Sequence, residues 1–397
     1  MWRAVGSVAT GLALLAGPDG VGLGRSARVR VPCHTESRPR SLLSIRVLRP
    51  DRDNILRCDG RVPRYMPLVS ALIPTHERAE FLAGAVESVL AQSHPDVEAV
   101  VCDDGSTDGT GDVLAQFADD DRVTVVRHET NRGVAAAFNS AAAAASGEFY
   151  CILGDDDRWH PEKVERQLAR FADAPDDCGL VYTGGVLASD RRVTREYTPS
   201  QRGDVYPDIL RRFDLHPHSG HMLRREAFES VGGFDESMPR GVDWEFTIRL
   251  AREWTVEYVD DCLTRRTFHE GSLSESPDQS LVHRLIWERH GDAIRDHAEV
   301  ERGFRQDFDR MCLLRALQDG EWARAVRYGS RALRRYADGR ALVLFGLGLA
   351  GPLGYRVAAP FRRAAVDRSS DFDYPEWATV AAVGPEFGAD GEYAAAT

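Results

Sequence analysis

The sequence predicts an α/β protein: a Rossmann-like, mostly parallel sheet flanked by helices, with an α-helical C-terminal extension. Three observations carry that expectation. From residue 66 onward, short apolar runs alternate with segments whose apolar residues recur at helical spacing, the βαβα order of a parallel sheet. Two of those runs end in aspartates, at 103–104 and 155–157, as strands do when they deliver acids to the carboxyl edge of a sheet. From about residue 278 the pattern is helical only.

Taken in order, residues 1–65 stand apart. Trp2 to Gly17 holds a short apolar run that superficially resembles a signal peptide but is too short to span a bilayer. The Arg/Pro/Ser/Gly-rich stretch after it has no periodicity and reads as disorder. We expect a disordered extension or a mis-assigned start, with Met66 as the natural first residue; an active signal peptide is the second reading. Val69–Ile73 reads as the first strand and Ala79–Gln92 as a helix with one apolar face. Val97–Cys102 and Val123–Arg127 read as strands flanking a helix over 110–117. The alanine-rich 134–146 is a helix by propensity, and Phe149–Leu153 a fourth strand. A helix follows over 161–171, with Pro161 tolerated in its first turn, and a short strand over 180–182. Residues 183–222 read as irregular, 223–231 and 243–253 as helices, 256–259 as a strand and 260–276 as a loop. Glu321–Tyr336 has the pattern of half a helical hairpin. This divides the chain into a 66–275 domain, a helical region 276–383 and a frayed tail 384–397.

Composition narrows the class. The chain has 397 residues, 43% hydrophobic and 28% charged, as soluble globular proteins do. Its net charge is −12, and its cations are arginines apart from Lys163. A diffuse acidic surface argues against nucleic acid as a partner. The acid excess suits a salty cytoplasm, and GC-rich coding explains the arginines equally. Seven scattered cysteines include no CxxC pair, so zinc is not expected. Cys102 and Cys151 fall in strand patterns as small core residues, and the usage points to a reducing, cytoplasmic compartment.

The most informative stretch is Phe149 to Lys163, an apolar strand running into Gly154, Asp155, Asp156, Asp157 and a helix start. Adjacent hard-oxygen ligands in such a loop suit Mg2+ or Mn2+ held together with a diphosphate. Three aspartates alone prove little, since Asp119–Asp121 is a second such run. The flanking strand and helix single out the first.

Together with Ser70-Ala71-Leu72-Ile73-Pro74-Thr75, Val101 to Asp108, Asn131-Arg132-Gly133 and Asn139, the stretch Leu153–Trp159 resembles the successive motifs of family 2 glycosyltransferases, over about 68–274. The resemblance implies the GT-A fold and inverting transfer of a sugar from a nucleotide diphosphate donor. It implies that Pro74, Thr75 and Glu77 meet the nucleotide, and that Asp103 and Asp104 accept from a base N–H or ribose hydroxyl. The plainer reading of those acids is an Asp-Gly turn with a Ser/Thr cap. Arg132 and Gly133 open a helix whose free N–H groups favour the donor region. By resemblance Asp156 is the metal ligand, and Asp155 or Asp157 touches ribose or completes the coordination. Asp243, after Gly232-Gly233-Phe234-Asp235-Glu236, matches the base that takes the acceptor proton; its plainer role is a helix N-cap. His269 is a further metal or diphosphate ligand, or a solvated loop histidine. Three departures stand out: Phe138 replaces a usual Arg, Gly154 a usual Asp, and Val242 a usual Glu. His216, His218 and His221 lack helical metal spacing and read as acceptor-loop residues or nothing; Trp159 reads as packing, and Asp235 as a turn residue.

The expected protein is therefore a metal-dependent transferase with a nucleotide-sugar donor and a glycan, lipid-linked sugar or protein as acceptor. The stretch 341–358, apolar but broken by glycines and Pro352, reads as a buried or interfacial helix, with membrane insertion as the alternative; it suggests peripheral membrane contact at the cytoplasmic face. A nucleotidyltransferase would want a glycine-rich basic loop after the first strand, which Pro74-Thr75-His76-Glu77 lacks. A catalytically silent sugar- or nucleotide-binding module with a partner-recruiting tail is the remaining alternative.

Overall fold

The computed structural model describes residues 66–189, 192–267, 279–336 and, in part, 342–351. Expectations that fall on residues 1–65, on 268–278 with His269, and on 352–397 lie outside them. Four strands form the parallel half of the sheet: β1 (Val69–Thr75), β2 (Val97–Asp103), β3 (Val123–Arg127) and β4 (Phe149–Ile152), in the order β3-β2-β1-β4. Their register matters for the site. Thr75 pairs with Asp103 and Leu72 with Ile152, so the segments leaving β1, β2 and β4 emerge together at one edge.

Successive side chains point to opposite faces, and the apolar residues divide accordingly. Leu72, Val100, Cys102, Tyr150 and Ile152 join one core with α3 (Val134–Ala144), while Val69, Ala71, Ile73, Val101 and Cys151 join the other with α1 (Ala79–Leu90). Both faces are covered, as a parallel sheet requires. Short α2 (Thr110–Ala115) and the longer α4 (Lys163–Asp173) complete the crossovers.

Beyond β4 the sheet continues through β8 (Met222–Arg224), β6 (Cys178–Ser189), β9 (Thr255–Thr267) and the two-residue β5 (Arg158–Trp159), with β7 (Arg192–Tyr197) hairpinned onto β6. β8 runs antiparallel to β4 and β6, whereas β6 and β9 are parallel. The sequence reading is corrected here. Residues 183–222 are not irregular: they hold the rest of β6, β7, α5 (Asp208–Arg211) and a 3-10 turn at His218–Gly220. The expected helix over 223–231 begins only after β8, as α6 (Arg225–Ser230). The expected loop after 259 is a strand as far as Thr267. In β7 and the second half of β9 charged residues hide the strand period, in β6 Gly184 and Gly185 interrupt it, and β8 is too short to show one.

α7 (Val242–Leu250) follows Gly241, whose left-handed backbone (φ 69°) lets the chain enter the helix tightly against Val282. The helical extension consists of α8 (Gln279–Arg295), α9 (Ala298–Gln318) and α10 (Trp322–Tyr336). Ile286, Ile294, Val300 and Phe304 enter the same core as Trp244 and Ile248 of α7, so the extension is docked on the sheet domain. None of the described helices is long and apolar enough to cross a membrane.

Candidate active site

The acid cluster lies in the turn between β4 and β5. Asp155 and Asp157 are buried, and Asp156 is the most open of the three. Arg78, at the N-terminus of α1, donates from Nη1 to Asp156 Oδ2 at 2.7 Å and to Asp155 Oδ1 at 3.3 Å. Asp157 is held from the other side: Oδ1 accepts from the Thr267 amide at 3.1 Å, and Oδ2 from the Ser219 hydroxyl. Ser219 Oγ also accepts from the Gly154 amide at 3.1 Å. Gly154 leaves room for the cluster, since a Cβ there would stand 3.0 Å from Asp156 Oδ1. Burial, and then the charge of Asp156, push the carboxyls of Asp155 and Asp157 up to about 7 each. The Arg266 guanidinium is shifted down by burial and, more strongly overall, up by Asp157, Tyr197 and Asp156, so it too stands at the cluster.

The β2 edge is built differently. Asp103 is fully buried and accepts from the Ser106 amide at 2.9 Å. Both oxygens of Asp104 are engaged: Oδ1 with His128 Nδ1 (2.6 Å) and the Arg132 amide (2.8 Å), Oδ2 with the Gly133 amide (2.7 Å). Asp104 thus fixes the start of α3. Glu77 is exposed at positive φ (55°) and accepts from the amide and hydroxyl of Thr107 at 2.6 and 2.9 Å, tying the loops after β1 and β2 together. Pro74 and Thr75 are buried at the end of β1. Asn139 on α3 donates to the Phe234 carbonyl at 2.9 Å and accepts from the Phe234 amide at 2.9 Å, which pins the Gly232–Glu236 loop to the helix. Arg132 reaches Glu236 of that loop at 3.2 Å. Phe138, where an Arg was the expectation by resemblance, is a core residue whose ring packs on Phe234 and edge-on to His218.

Asp243 is half-buried in the first turn of α7; the N-cap position itself is Gly241, and Asp243 Oδ1 accepts from the Trp244 amide at 2.8 Å. Arg249, one face along the helix, donates to the carbonyls of Val231 and Gly233, which locks α7 to the same loop. The histidines are more than loop residues. His216 is drawn down by burial, up by Asp243 and down by Arg266. His218 falls to about 3 and His221 well below the usual range, mainly through burial. All three are neutral rings at pH 7. His216 lies within the charge of both Asp243 and Arg266, and Arg266 within that of Asp156 and Asp157. The acids after β4 and Asp243 of α7 are thus linked electrostatically through Arg266 and His216.

For a divalent cation, the donor set is chemically suitable: hard carboxylate oxygens carrying more negative charge than burial favours. Among the described residues no three His, Cys, Asp or Glu side chains converge as a ready-made cage. Asp155 and Asp156 offer oxygens at the point where Arg78 now sits, and a diphosphate would have to complete the shell. Sequence reasoning missed Arg78, Ser219 and Arg266. Arg78 and Arg266 each sit near a motif residue, three after Thr75 and three before His269, and that proximity was the available signal; for Ser219 there was none.

The family described as Glycosyl transferase family 2 matches residues 70–232. TuaG of Bacillus subtilis (strain 168), described as a teichuronic acid biosynthesis glycosyltransferase, is 36% identical over 149 residues, which is 37% of this chain and 58% of TuaG. The chain thus spans less than two thirds of that relative. Among solved structures, S. aureus TarS 1-349 in complex with UDP-GlcNAc aligns with a TM-score of 0.52 at 18% identity, covering 75% of this chain and 92% of that one. The mannosyltransferase PcManGT of Pyrobaculum calidifontis, in complex with GDP-Man and Mn2+, aligns with a TM-score of 0.50 at 19% identity, covering 79% and 89%. With a motif series, a sheet order and a family match that coincide over the same residues, the 70–232 region matches glycosyl transferase family 2, and the sheet domain has the GT-A fold.

Proposed function

We propose that the chain is an inverting, metal-dependent glycosyltransferase that moves a sugar from a nucleotide diphosphate donor to an acceptor hydroxyl. What supports this reading is the acid turn after β4, held by Arg78, Ser219 and Thr267, with Asp243 linked to it electrostatically through His216 and Arg266. An inverting displacement needs one base on the acceptor side and positive charge on the leaving diphosphate, and these groups offer both. Asp243 accepts the proton of the incoming hydroxyl. Its half-buried position, one oxygen held by the Trp244 amide, leaves the other oxygen for the acceptor. Neutral His216 and His218 line the approach without competing for that proton.

On the donor side, Arg78 and Arg266 bind phosphate oxygens. Asp156, the most open acid, and Asp155 hold the divalent cation; Asp157, tied to Ser219 and Thr267, fixes the turn that presents them. When bound, the cation neutralises the leaving diphosphate. Asp103 and the amides after Pro74 and Thr75 bound the nucleoside pocket, with Glu77, Asp104, Arg132 and Gly133 shaping its walls. His269, outside the described residues, is in this reading a further metal or diphosphate ligand. The acceptor is a glycan, a lipid-linked sugar or a protein. In this reading Mn2+ plus the matching sugar nucleotide raises the melting temperature in a screen of activated sugars. Asp156→Asn abolishes the metal-dependent part of that rise. Asp243→Asn keeps donor binding and lowers kcat by about 10²–10⁴, the usual worth of a general base. Stabilisation by no sugar nucleotide, or undiminished turnover in Asp243→Asn, refutes the reading.

A further inference from the structure

We propose that α10 and the segment after it form a docking surface for an anionic lipid bilayer. α10 carries Arg324, Arg327, Arg331, Arg334 and Arg335 and no acid. Spacings of three and four residues put these arginines along one side of the helix. The other side, with Ala325 and Ala332 buried, packs toward α9, where Leu313, Ala316 and Leu317 meet Ala325. Arg331 and Arg335 are shared with Asp309 of α9, and Arg324 with Glu321. Arg327 and Arg334 are exposed and form no ion pair among the described residues.

Apolar side chains are exposed on the segment after this helix. Five large hydrophobic residues are exposed among the described ones, and three of them, Leu342 (59%), Val343 (64%) and Leu349 (63%), fall within eight residues of each other. Their segment lies against α10, because Phe345 packs on Gly329. An arginine-rich helix followed closely by exposed Leu and Val is a composition suited to shallow contact at a headgroup boundary. Charge complementarity selects the lipid: the chain as a whole carries −12, so attraction to an anionic surface has to be local, and α10 supplies it. A neutral surface would leave Arg327 and Arg334 without counter-charge. The contact is peripheral, since no described helix is long and apolar enough to span.

The test is co-sedimentation of the full chain with vesicles of phosphatidylglycerol and phosphatidylethanolamine, against phosphatidylcholine alone, at low and high salt. Sedimentation with the anionic vesicles only, falling with salt, is expected. The pair Arg327→Glu and Arg334→Glu should lower partitioning by more than tenfold, each surface cation being worth about a fivefold change. Leu342→Ser with Leu349→Ser should lower it at both salt concentrations. Circular dichroism confirms that each variant is folded. Equal binding to phosphatidylcholine, no binding to either vesicle, or a dimer that the serine variants dissociate would each overturn the proposal, the last by assigning the patch to a second copy. No sugar nucleotide enters the assay, so its outcome is separate from that of the transferase reading.

Discussion

Three successive carboxylates put more negative charge into one turn than a buried position tolerates, and Arg78 and Arg266 are the side chains that answer it. Arg78 touches two of the three acids, Asp156 at 2.7 Å and Asp155 at 3.3 Å, with only 19% of its side chain exposed. Removing it leaves a buried anion uncompensated rather than merely deleting a hydrogen bond. Arg78→Gln should therefore destabilise the ligand-free protein by about 2 kcal/mol at pH 8. The loss should shrink at pH 5.5, because Asp155, already drawn up to about 7 by burial and Asp156, then carries a proton and needs no counter-charge. Chemical denaturation at the two pH values checks this, and an equal loss at both would contradict it. If Arg78 binds the donor diphosphate as proposed, the same variant should raise KM for the donor more than it lowers kcat. None of this was legible from composition: Arg78 is one arginine among 49 cations of the same type, and only the fold brings it to residues 77 and 78 positions away.

At the scale of elements, α4 braces the turn on which the acids depend, and it does so with the chain's single lysine. Lys163 is fully buried, donates to Gln167 Oε1 at 2.7 Å and lies 4.0 Å over the Trp159 ring. Gln167 in turn donates to the carbonyls of Val181 and Gly220, and Trp159 Nε1 to that of Ser219, the residue that holds Asp157. Burial draws the Lys163 ammonium down to about 8 from 10.5. Below pH 8 both folded and unfolded chains hold the proton, and burial then costs about 3 kcal/mol. Above about pH 10.5 neither holds it and that cost is gone. Lys163→Met keeps the volume, removes the charge and leaves Gln167 Oε1 without its donor. It should be nearly neutral at pH 7 and destabilising by about 2–3 kcal/mol at pH 10 relative to the parent. Urea midpoints measured at both pH values decide it; a constant difference would mean that Lys163 is not buried as an ammonium. The elements with clean periods, β1 to β4 and α1 to α4, were readable in the sequence to within two or three residues at most ends. β7 and the second half of β9 were not, because charged residues break their period, and β6 was not, because period two is broken by Gly184, Gly185 and the bulge in the β6–β9 register. Phe138 shows the same limit in a side chain: a departure that reads as a lost ionic contact is, in the fold, an aromatic packed on Phe234.

Across the whole molecule, the buried acid cluster costs ligand-free stability, and in the proposed function that cost is returned as affinity toward a cationic complex. Asp155 and Asp157 both have carboxyls raised from 3.8 to about 7, by burial first and by Asp156 second. A carboxylate whose folded pKa lies above its unfolded value stabilises the fold fully below the unfolded value, near pH 4. That contribution is lost as pH rises toward 7. The two acids share Asp156 as a neighbour and titrate together, so the loss belongs to the pair and amounts to several kcal/mol at most. Sequence motifs identified the acids, but their burial, and hence this pH dependence, follows only from the way the 3-10 turn at Ser219 and the end of β9 close over Asp157. The ligand-free protein should melt lower at pH 8 than at pH 6. Mn2+ with the matching sugar nucleotide should act the other way. At pH 8 it meets carboxylates that are already charged, whereas at pH 6 it must first displace their protons. The rise in melting temperature on adding both should be larger at pH 8 than at pH 6, and Asp156→Asn should flatten the difference between the two. Scanning fluorimetry over pH 5.5–8.5, with and without the complex, measures it directly; a rise that is greatest at the acidic end would show that the acid cluster does not receive the cation.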